Sequence, residues 1–278
     1  MSAARFGIRE RSCVALGGIC RRVFGFAAPH DIRDERTREE SFQRAVRRGA
    51  DFGRWFRRPF DVRDKRVLEI GCGHGGMQLA LTRAGAKETV GIDVDAAAIG
   101  FAEQRLRDEP QVKVSVGDAQ EIPAEDSSFD VVVSSAAFEH VHDVEAMLRE
   151  IERVLRPGGF LYAQFSPTWW HYNGPHLIKC VSVPWAHVLF SDRTLLNVLE
   201  HYRAEERFPR SYLDEKIEDF QRMGRLSLRK FRRAVGRTRL EPLQIEARSP
   251  RRWKDALGRV PVLEEVVGGT AVAVLRKS

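Results

Sequence analysis

The pattern of apolar and polar positions changes twice along the chain and divides it into three parts. Residues 1–60 show no strand pattern, and between residues 35 and 60 apolar side chains recur at helical spacing among arginines. Short apolar runs then alternate with amphipathic stretches as far as residue 165, where the regular alternation ends. We therefore predict an N-terminal helical extension over residues 1–60 and one domain over residues 61–278.

The middle part alternates between strand and helix patterns. The predicted strands are short, apolar and rich in β-branched residues, and they cover residues 66–70, 88–92, 112–116, 129–134 and 160–165. The predicted helices between them cover residues 76–84, 96–106 and 144–155. Strands of this composition suit a parallel sheet that is buried on both faces. Repeated strand–helix–strand units predict a doubly wound α/β fold.

The last part begins without a regular period. Residues 167–190 are rich in Trp, His, Tyr and Pro, whereas residues 192–236 have a helical pattern with Ser227 as an N-cap. Two late strands are predicted at residues 241–247 and 270–275. We expect a substrate-facing helical insert over residues 167–238, placed before the final strand pair of a mostly parallel, seven-stranded, Rossmann-like sheet.

Charge is unevenly distributed along the chain. The net charge of +7 divides into about +8 for residues 1–66, about −9 for residues 67–165 and about +8 for residues 166–278. Basic flanks can attract nucleic acid or anionic membranes, but solvated arginine-rich helices account for the same pattern. We favour the second interpretation and do not expect a nucleic-acid partner. The apolar segment 181–190 is compatible with three roles. It can contact a membrane surface, form an apolar pocket for the acceptor, or simply pack on the domain.

The cysteines are scattered and form no C-x-x-C pair; they are Cys13, Cys20, Cys72 and Cys180. In a chain of this size their spacing indicates a reducing compartment and argues against a disulfide framework or a zinc site. The sequence has no run of roughly 18 apolar residues, the length that a membrane-spanning helix needs. We expect a cytoplasmic protein, and the sequence leaves its oligomeric state open.

The segment Glu69-Ile70-Gly71-Cys72-Gly73-His74-Gly75 lies between the first predicted strand and helix. Its glycines allow a sharp turn and let a ligand lie against the backbone without clashing with a Cβ atom. Asp93 follows at the end of the second strand, where a carboxylate can accept both ribose hydroxyls of an adenosine. Read as Gly71-x-Gly73-x-x-Gly76, the turn also fits a nicotinamide dinucleotide. These residues alone leave both kinds of adenosine cofactor open.

Three further segments narrow the choice. Gly117-Asp118-Ala119 follows the third strand, Phe129-Asp130-Val131-Val132-Val133 forms the fourth, and Leu155-Arg156-Pro157-Gly158-Gly159 precedes the fifth. With Glu69 two residues before the first turn glycine, this set resembles the class I methyltransferases of the ubiquinone-methylating, type 11 group. The resemblance covers residues 66–165. A nicotinamide oxidoreductase would need a second mononucleotide-binding half, for which residues 166–278 show no pattern.

The resemblance implies S-adenosylmethionine as cofactor and methyl transfer to a small-molecule or lipid-like acceptor. It implies that Glu69 stabilises the turn near the methionine amino group, that Asp93 binds the ribose and that Val94 packs beside the adenine. Asp118 and the Ala119 backbone would recognise the adenine edge. The remaining implied contacts are at the turn and after strand four: Gly71, Cys72, Gly73, His74, Gly75 and Ser135.

Candidates for catalysis and acceptor binding are histidines and one tyrosine. His140 follows Glu139, and the resembling family commonly has an acid–histidine pair there, so His140 is a candidate base, unless it only packs at the start of the next helix. His171, Tyr172 and His176 are candidate acceptor contacts, with an aromatic core as the alternative. His140 and His142 form a His-x-His pair, but no third ligand lies at a suitable spacing, so we predict no metal.

A non-enzymatic alternative is an inactive methyltransferase-like adaptor that binds nucleic acid or membrane through the basic flanks. In such a protein the cofactor motifs would be expected to have decayed. Here the glycine turn, Asp93, Asp118 and the Pro157-Gly158-Gly159 segment all stand intact, and we therefore favour the enzyme.

Overall fold

The structure is a computed structural model, and it describes residues 7–24, 37–248 and 264–278. The strands in this part of the chain are β1 Arg66–Ile70, β2 Glu88–Asp93, β3 Val112–Val116, β4 Phe129–Ser135, β5 Leu155–Phe165, β6 Leu240–Arg248 and β7 Thr270–Lys277. The helices are α1 Ile8–Phe24, α2 Arg38–Asp51, α3 Gly76–Arg83, α4 Ala96–Arg105, α5 Val144–Val154, α6 Ile178–Val181, α7 Ala186–Leu189, α8 Asp192–Ala204, α9 Arg210–Arg222, α10 Leu228–Val235 and α11 Glu264–Gly268.

Local side-chain hydrogen bonds fix the starts of several helices. Thr37 and Glu40 form a reciprocal capping box at the start of α2. Asp95 accepts hydrogen bonds from the backbone N–H groups of residues 97 and 98 and caps α4. The predicted cap Ser227 accepts a hydrogen bond from the Lys230 N–H, which confirms that prediction.

The strands form one seven-stranded sheet in the order β3-β2-β1-β4-β5-β7-β6. The pairings from β3 to β5 are parallel, and β7 is antiparallel to both β5 and β6. This confirms the α/β, Rossmann-like fold, but the sheet is mixed and its parallel character ends at β5. The strand order reverses between β1 and β4, and ligands of such sheets bind at the carboxyl ends of the strands beside this reversal.

The fifth strand begins earlier than the glycines suggest. The sequence pattern predicts its start at residue 160, whereas β5 already begins at Leu155, which pairs with Phe129. The next paired residues are Val131 and Phe160, so the intervening segment bulges out of register. Pairing with β7 also begins only at Phe160. The Pro-Gly-Gly segment is thus an irregular entry into the strand, not a break before it.

Apolar residues cover both faces of the sheet, as the composition of β4 predicts. On one face α5 and α10 pack against β4 and β5, with Met147, Ile151 and Phe231 fully buried. On the other face Phe52, Met77 and Tyr162 belong to a second buried cluster. These two layers hold the carboxyl ends of the parallel strands in fixed positions.

The helices between β5 and β6 have an apolar cluster of their own. It contains Cys180 of α6, Leu195 and Leu199 of α8, and Leu213 of α9, and Cys13 of α1 is part of it. The backbone of α1 passes close to that of α6, since a Cβ atom at Gly17 would overlap the Val181 carbonyl oxygen. The first helix therefore packs with the insert helices, whereas α2 packs against α3.

The four cysteines are buried and free of disulfide bonds. Within residues 7–24, 37–248 and 264–278, no helix combines the length and apolar character needed to span a bilayer.

Replacing Gly76 with alanine should destabilise the protein strongly. A Cβ atom at this position would overlap the Phe42 carbonyl oxygen and lie 2.7 Å from the Ala45 Cβ, so α2 would have to move away from α3. Overpacking of this kind costs about 1–3 kcal/mol. Gly100, in the middle of α4, has open space around the equivalent position. Gly100→Ala should instead gain about 0.5–1 kcal/mol. Urea unfolding of both variants tests this difference, and equal stabilities would contradict the close α2–α3 packing.

Candidate active site

A cavity of about 680 Å³ opens at the carboxyl ends of β1, β2, β3 and β4. This is the position expected for a ligand in such a sheet, and the volume suits a small molecule. Residues after the strands form one wall, and α9 forms the opposite wall. The lining residues are Ile70, Gly71, Ile92, Asp93, Val94, Gly117, Asp118, Ala119, Gln120, Ala136, Ala137, His140, Val141, His142, Glu215, Asp219, Gln221 and Arg222. We call the part formed by His140, His142 and α9 the α9 end.

The glycine turn follows β1 directly and is tied to β2. The backbone N–H groups of Gly71 and Cys72 both donate to the Ile92 carbonyl oxygen, at 2.9 and 3.1 Å. Gly71 has φ of 77°, and a Cβ atom there would lie 2.6 Å from the Ala137 Cβ. A side chain at this position would be strained and would close the gap between the turn and the segment after β4.

Asp93 joins the turn to the end of β2. Its Oδ2 accepts a hydrogen bond from the Gly73 N–H at 2.8 Å, and its Oδ1 accepts one from the Asp95 N–H at 3.0 Å. The side chain is half-buried and lines the cavity. Each carboxylate oxygen has a further lone pair, so Asp93 can hold the turn and still accept hydroxyl groups from a ligand.

Asp118, Ala119 and Val94 also line the cavity. Asp118 is exposed and accepts a hydrogen bond from the Gln120 N–H at 2.8 Å, which fixes the turn after β3. Val94 is 71 % exposed, so the cavity has an apolar side chain at its rim. An acidic acceptor and an apolar surface are thus placed together, as an adenine ring requires.

Glu69 lies beneath the turn and is only 3 % exposed. Its Oε2 accepts a hydrogen bond from Gln78 Nε2 at 2.8 Å. Burial, with a smaller contribution from the negative charge of Asp93, raises the pKa of this carboxyl to about 8. A buried acid in this state is ready to ionise when a cationic group comes close.

The other expected cofactor contacts lie around the cavity without lining it. His74 packs edge-on against Phe101 of α4, and Cys72 is buried beside Gly91. Gly75 is the N-cap of α3 with φ of 81°, and Ser135 is buried at the end of β4. Gly73 reaches the site through its N–H group, which donates to Asp93.

His140 lines the α9 end, and two groups from distant parts of the chain are close to it. Its Nδ1 lies 3.6 Å from Asp219 Oδ1 of α9, and its ring lies against that of His176, with centroids 5.6 Å apart. Glu139 is buried behind it and has a raised pKa because of that burial. Burial also lowers the pKa of His176 to about 4, so its imidazole is neutral at pH 7.

None of the acceptor candidates His171, Tyr172 and His176 lines the cavity itself. The rings of His171 and Tyr172 contact each other, with centroids 4.1 Å apart, and His171 lies against Gly269 just before β7. The structure therefore brings together His140 and His176, while the other two candidates lie in the aromatic packing of the insert.

Residues of α9 are the part of the cavity that sequence reasoning missed. Glu215, Asp219, Gln221 and Arg222 line it, more than 70 residues after the last strand that contributes to the opposite wall. Their only signal is the amphipathic pattern of residues 210–222, which predicts a helix with one polar face but does not say what this face meets.

Comparison with known proteins fits this geometry. Residues 68–163 match the family model described as a methyltransferase domain. The S-adenosylmethionine-dependent methyltransferase from Mesorhizobium loti has the same fold, with a TM-score of 0.55 over 84% of this chain and 100% of that one, at 17% identity. Residues 68–163 thus form a methyltransferase domain. The part that matches the family holds the glycine turn, Asp93, Asp118 and His140.

Two curated relatives are similar to part of this chain. A probable phthiotriol/phenolphthiotriol dimycocerosates methyltransferase of Mycobacterium ulcerans is 43% identical over 109 residues, which cover 38% of this chain and 42% of the relative. A fatty-acid O-methyltransferase of Mycolicibacterium smegmatis is 39% identical over 109 residues, covering 38% of this chain and 39% of the relative. The matches thus span about two fifths of the length of these relatives.

Proposed function

We propose that this protein transfers a methyl group from S-adenosylmethionine to a lipid-like acceptor. The observation that carries the proposal is the cavity itself, where Gly71, Asp93 and Asp118 line one wall at the point of strand-order reversal. The two curated relatives are named for lipid-like acceptors, which supports the class of substrate.

The residues of the cavity fit the parts of the proposed cofactor. Asp93 would accept the ribose hydroxyls, Asp118 and the Ala119 backbone would meet the adenine edge, and Val94 would pack on its face. Glu69 would meet the amino group of the methionine part from beneath the turn. The sulfonium centre of the bound donor supplies an electrophilic methyl group. The protein's own contribution is to align donor and acceptor and to exclude water.

The insert is proposed to form the acceptor side. Its helix α9 supplies the wall opposite the glycine turn, so an acceptor would enter between this wall and the segment after β4. His140 lies at this end and is the candidate catalytic residue, able to take a proton from an acceptor hydroxyl. Asp219 is placed to orient its ring.

We propose that the protein reaches a lipid acceptor through peripheral contact with a membrane. Trp185 and, on α7, Val188 and Leu189 are exposed by 38 %, 54 % and 61 %. Aromatic and aliphatic side chains together on a surface segment suit the interface of a bilayer.

We propose a cytoplasmic enzyme, because the four cysteines are all free thiols.

Incubation with labelled S-adenosylmethionine and a cellular lipid extract tests the proposal. We expect label in the organic phase, a mass increase of one methylene group in the product, and loss of both in Asp93→Ala. Presenting the lipid in anionic vesicles and, separately, in detergent shows whether a membrane surface raises the rate.

Two results would count against this function. Folded protein that binds no S-adenosylhomocysteine in calorimetry would exclude a working cofactor site. Protein that binds it but labels nothing in lipid, small-molecule or whole-cell extracts, while binding vesicles, would favour the adaptor.

A further inference from the structure

Glu139, His140 and His176 come together beside the α9 end of the cavity, which only His140 of the three lines, and apart from the residues proposed to hold the cofactor. One potential ligand atom of each lies within 4.8 Å of those of the other two. Glu139 and His140 belong to the short helical turn after β4, and His176 lies in the loop before α6. The fold thus assembles two imidazoles and one carboxylate from segments that are more than 30 residues apart.

Two buried atoms of this cluster lack a hydrogen-bond partner. Glu139 is 2 % exposed, and its Oε1 accepts a hydrogen bond from the Ser166 N–H at 3.1 Å. Its Oε2 has no partner in the part of the chain that the structure describes, and the same holds for His176 Nε2. Leaving a buried polar atom unsatisfied costs about 1–3 kcal/mol, and two such atoms in one cluster need an explanation.

We propose that Glu139, His140 and His176 bind a divalent first-row transition metal ion, Zn²⁺ above all. Two histidines with one carboxylate are a common ligand set for this ion when a coordination position stays open. Metal–ligand bonds of about 2.0–2.1 Å place tetrahedral ligand atoms about 3.3 Å apart. Modest rotations of the three side chains would therefore close the site.

The residues around the cluster orient two of its proposed metal ligands, His140 and His176. Asp219 lies beside His140 Nδ1, and a carboxylate on one ring nitrogen orients a histidine whose other nitrogen binds a metal. His176 has φ of 57°, and its N–H donates to the Asn173 carbonyl oxygen at 2.9 Å in a tight turn. This turn holds the His176 ring against that of His140. The sequence predicted no metal because no third ligand lies at a suitable spacing from His140 and His142, whereas the fold brings His176 to His140 and Glu139.

The open coordination position would face the cavity, because His140 and Asp219 both line it. An oxygen atom of the acceptor, a hydroxyl or a carboxylate, would fill that position and be fixed near the transferred methyl group. This role rests on the proposed methyl transfer, while binding of the metal does not. With the metal bound, His140 is a ligand in place of a base, because one ring nitrogen faces Asp219 and the other holds the metal.

Equilibrium dialysis against Zn²⁺ and visible spectroscopy of the Co²⁺-loaded protein test the site. We expect one Zn²⁺ per chain and, with Co²⁺, absorption bands typical of four- or five-coordinate nitrogen–oxygen ligation. Glu139→Gln and His176→Asn should each weaken Zn²⁺ binding by more than about tenfold. Asparagine is chosen at position 176 because it tolerates positive φ. The matched control is His142→Ala, which removes a neighbouring histidine and should leave Zn²⁺ affinity unchanged.

Substoichiometric binding by the wild-type protein, or binding that neither ligand variant weakens, would overturn the metal site and leave His140 as a simple base. Circular dichroism establishes that the variants are folded. Titration of the same wild-type sample with S-adenosylhomocysteine separates the two proposals. A sample that binds this ligand but no Zn²⁺ refutes only the metal site, and one that binds Zn²⁺ alone refutes only the cofactor.

Discussion

Asp93→Ala should weaken the binding of S-adenosylhomocysteine about hundredfold, equivalent to about 2.7 kcal/mol. The expected loss has two parts. The ribose hydroxyls lose a charged acceptor, and charge-assisted hydrogen bonds contribute about 1.5–3 kcal/mol each. The turn also loses the hydrogen bond from the Gly73 N–H, which holds its glycines in place. Isothermal titration calorimetry measures the change directly.

Asp95→Ala is the matched control for this prediction. Asp95 is two residues away and also accepts backbone hydrogen bonds, but it caps α4 and does not line the cavity. Loss of an aspartate cap costs about 1 kcal/mol of stability. The control should therefore lower the melting temperature and leave affinity nearly unchanged. If Asp93→Ala bound the ligand as well as Asp95→Ala does, the cofactor site would be wrongly placed.

Glu69→Gln should weaken the binding of S-adenosylhomocysteine by about tenfold to a hundredfold. The variant keeps an oxygen that can accept the Gln78 hydrogen bond, but it cannot become negative when the cationic amino group of the ligand arrives. The loss corresponds to one charge-assisted hydrogen bond. Isothermal titration calorimetry near pH 7 measures this loss of affinity.

The same substitution should stabilise the ligand-free protein at high pH. Burial raises the pKa of Glu69 from an ordinary value of 4.5 to about 8, so the folded state binds this proton more tightly than the unfolded state does. Stability from this group is complete below about pH 4.5 and is lost as pH rises to about 8. Glutamine has no proton to lose. The melting temperature of Glu69→Gln should therefore exceed that of the wild type by several degrees at pH 8 and approach it near pH 5.

Exposed Glu103 on α4 offers a control with the same change of chemistry. Glu103→Gln should alter neither the affinity nor the pH dependence of the melting temperature. A Glu69→Gln variant that is less stable than the wild type at pH 8 would show that the ionised carboxylate is well solvated or paired, contrary to its burial.

Much of the sheet domain follows from local sequence patterns. The strands β1 to β4 lie within one residue of their predicted bounds, because their apolar runs are short and bounded by glycines, polar turns or capping residues. Asp95 and Ser227 cap helices through bonds to residues two or three positions away, so their neighbours alone decide the outcome. The proposed cofactor residues Gly71, Asp93 and Asp118 follow strand ends, and strand ends of a parallel sheet share one edge.

Other features depend on parts of the chain that are far apart in sequence. The early start of β5 depends on Phe129 of the neighbouring strand, and the packing of Cys13 with the insert depends on apolar partners about 170 residues away. The α9 wall and the meeting of Glu139, His140 and His176 have no local signature at all.

The sequence by itself determined the glycine turn and the edge of the sheet where we propose that the methyl donor binds, because neighbouring residues fix turns, caps and strand ends. Only the tertiary structure decided what faces that edge. The position of α9 opposite the turn, and the approach of His176 to Glu139 and His140, follow from apolar packing between distant segments. Such packing depends on the whole buried surface, and no short window of sequence contains it.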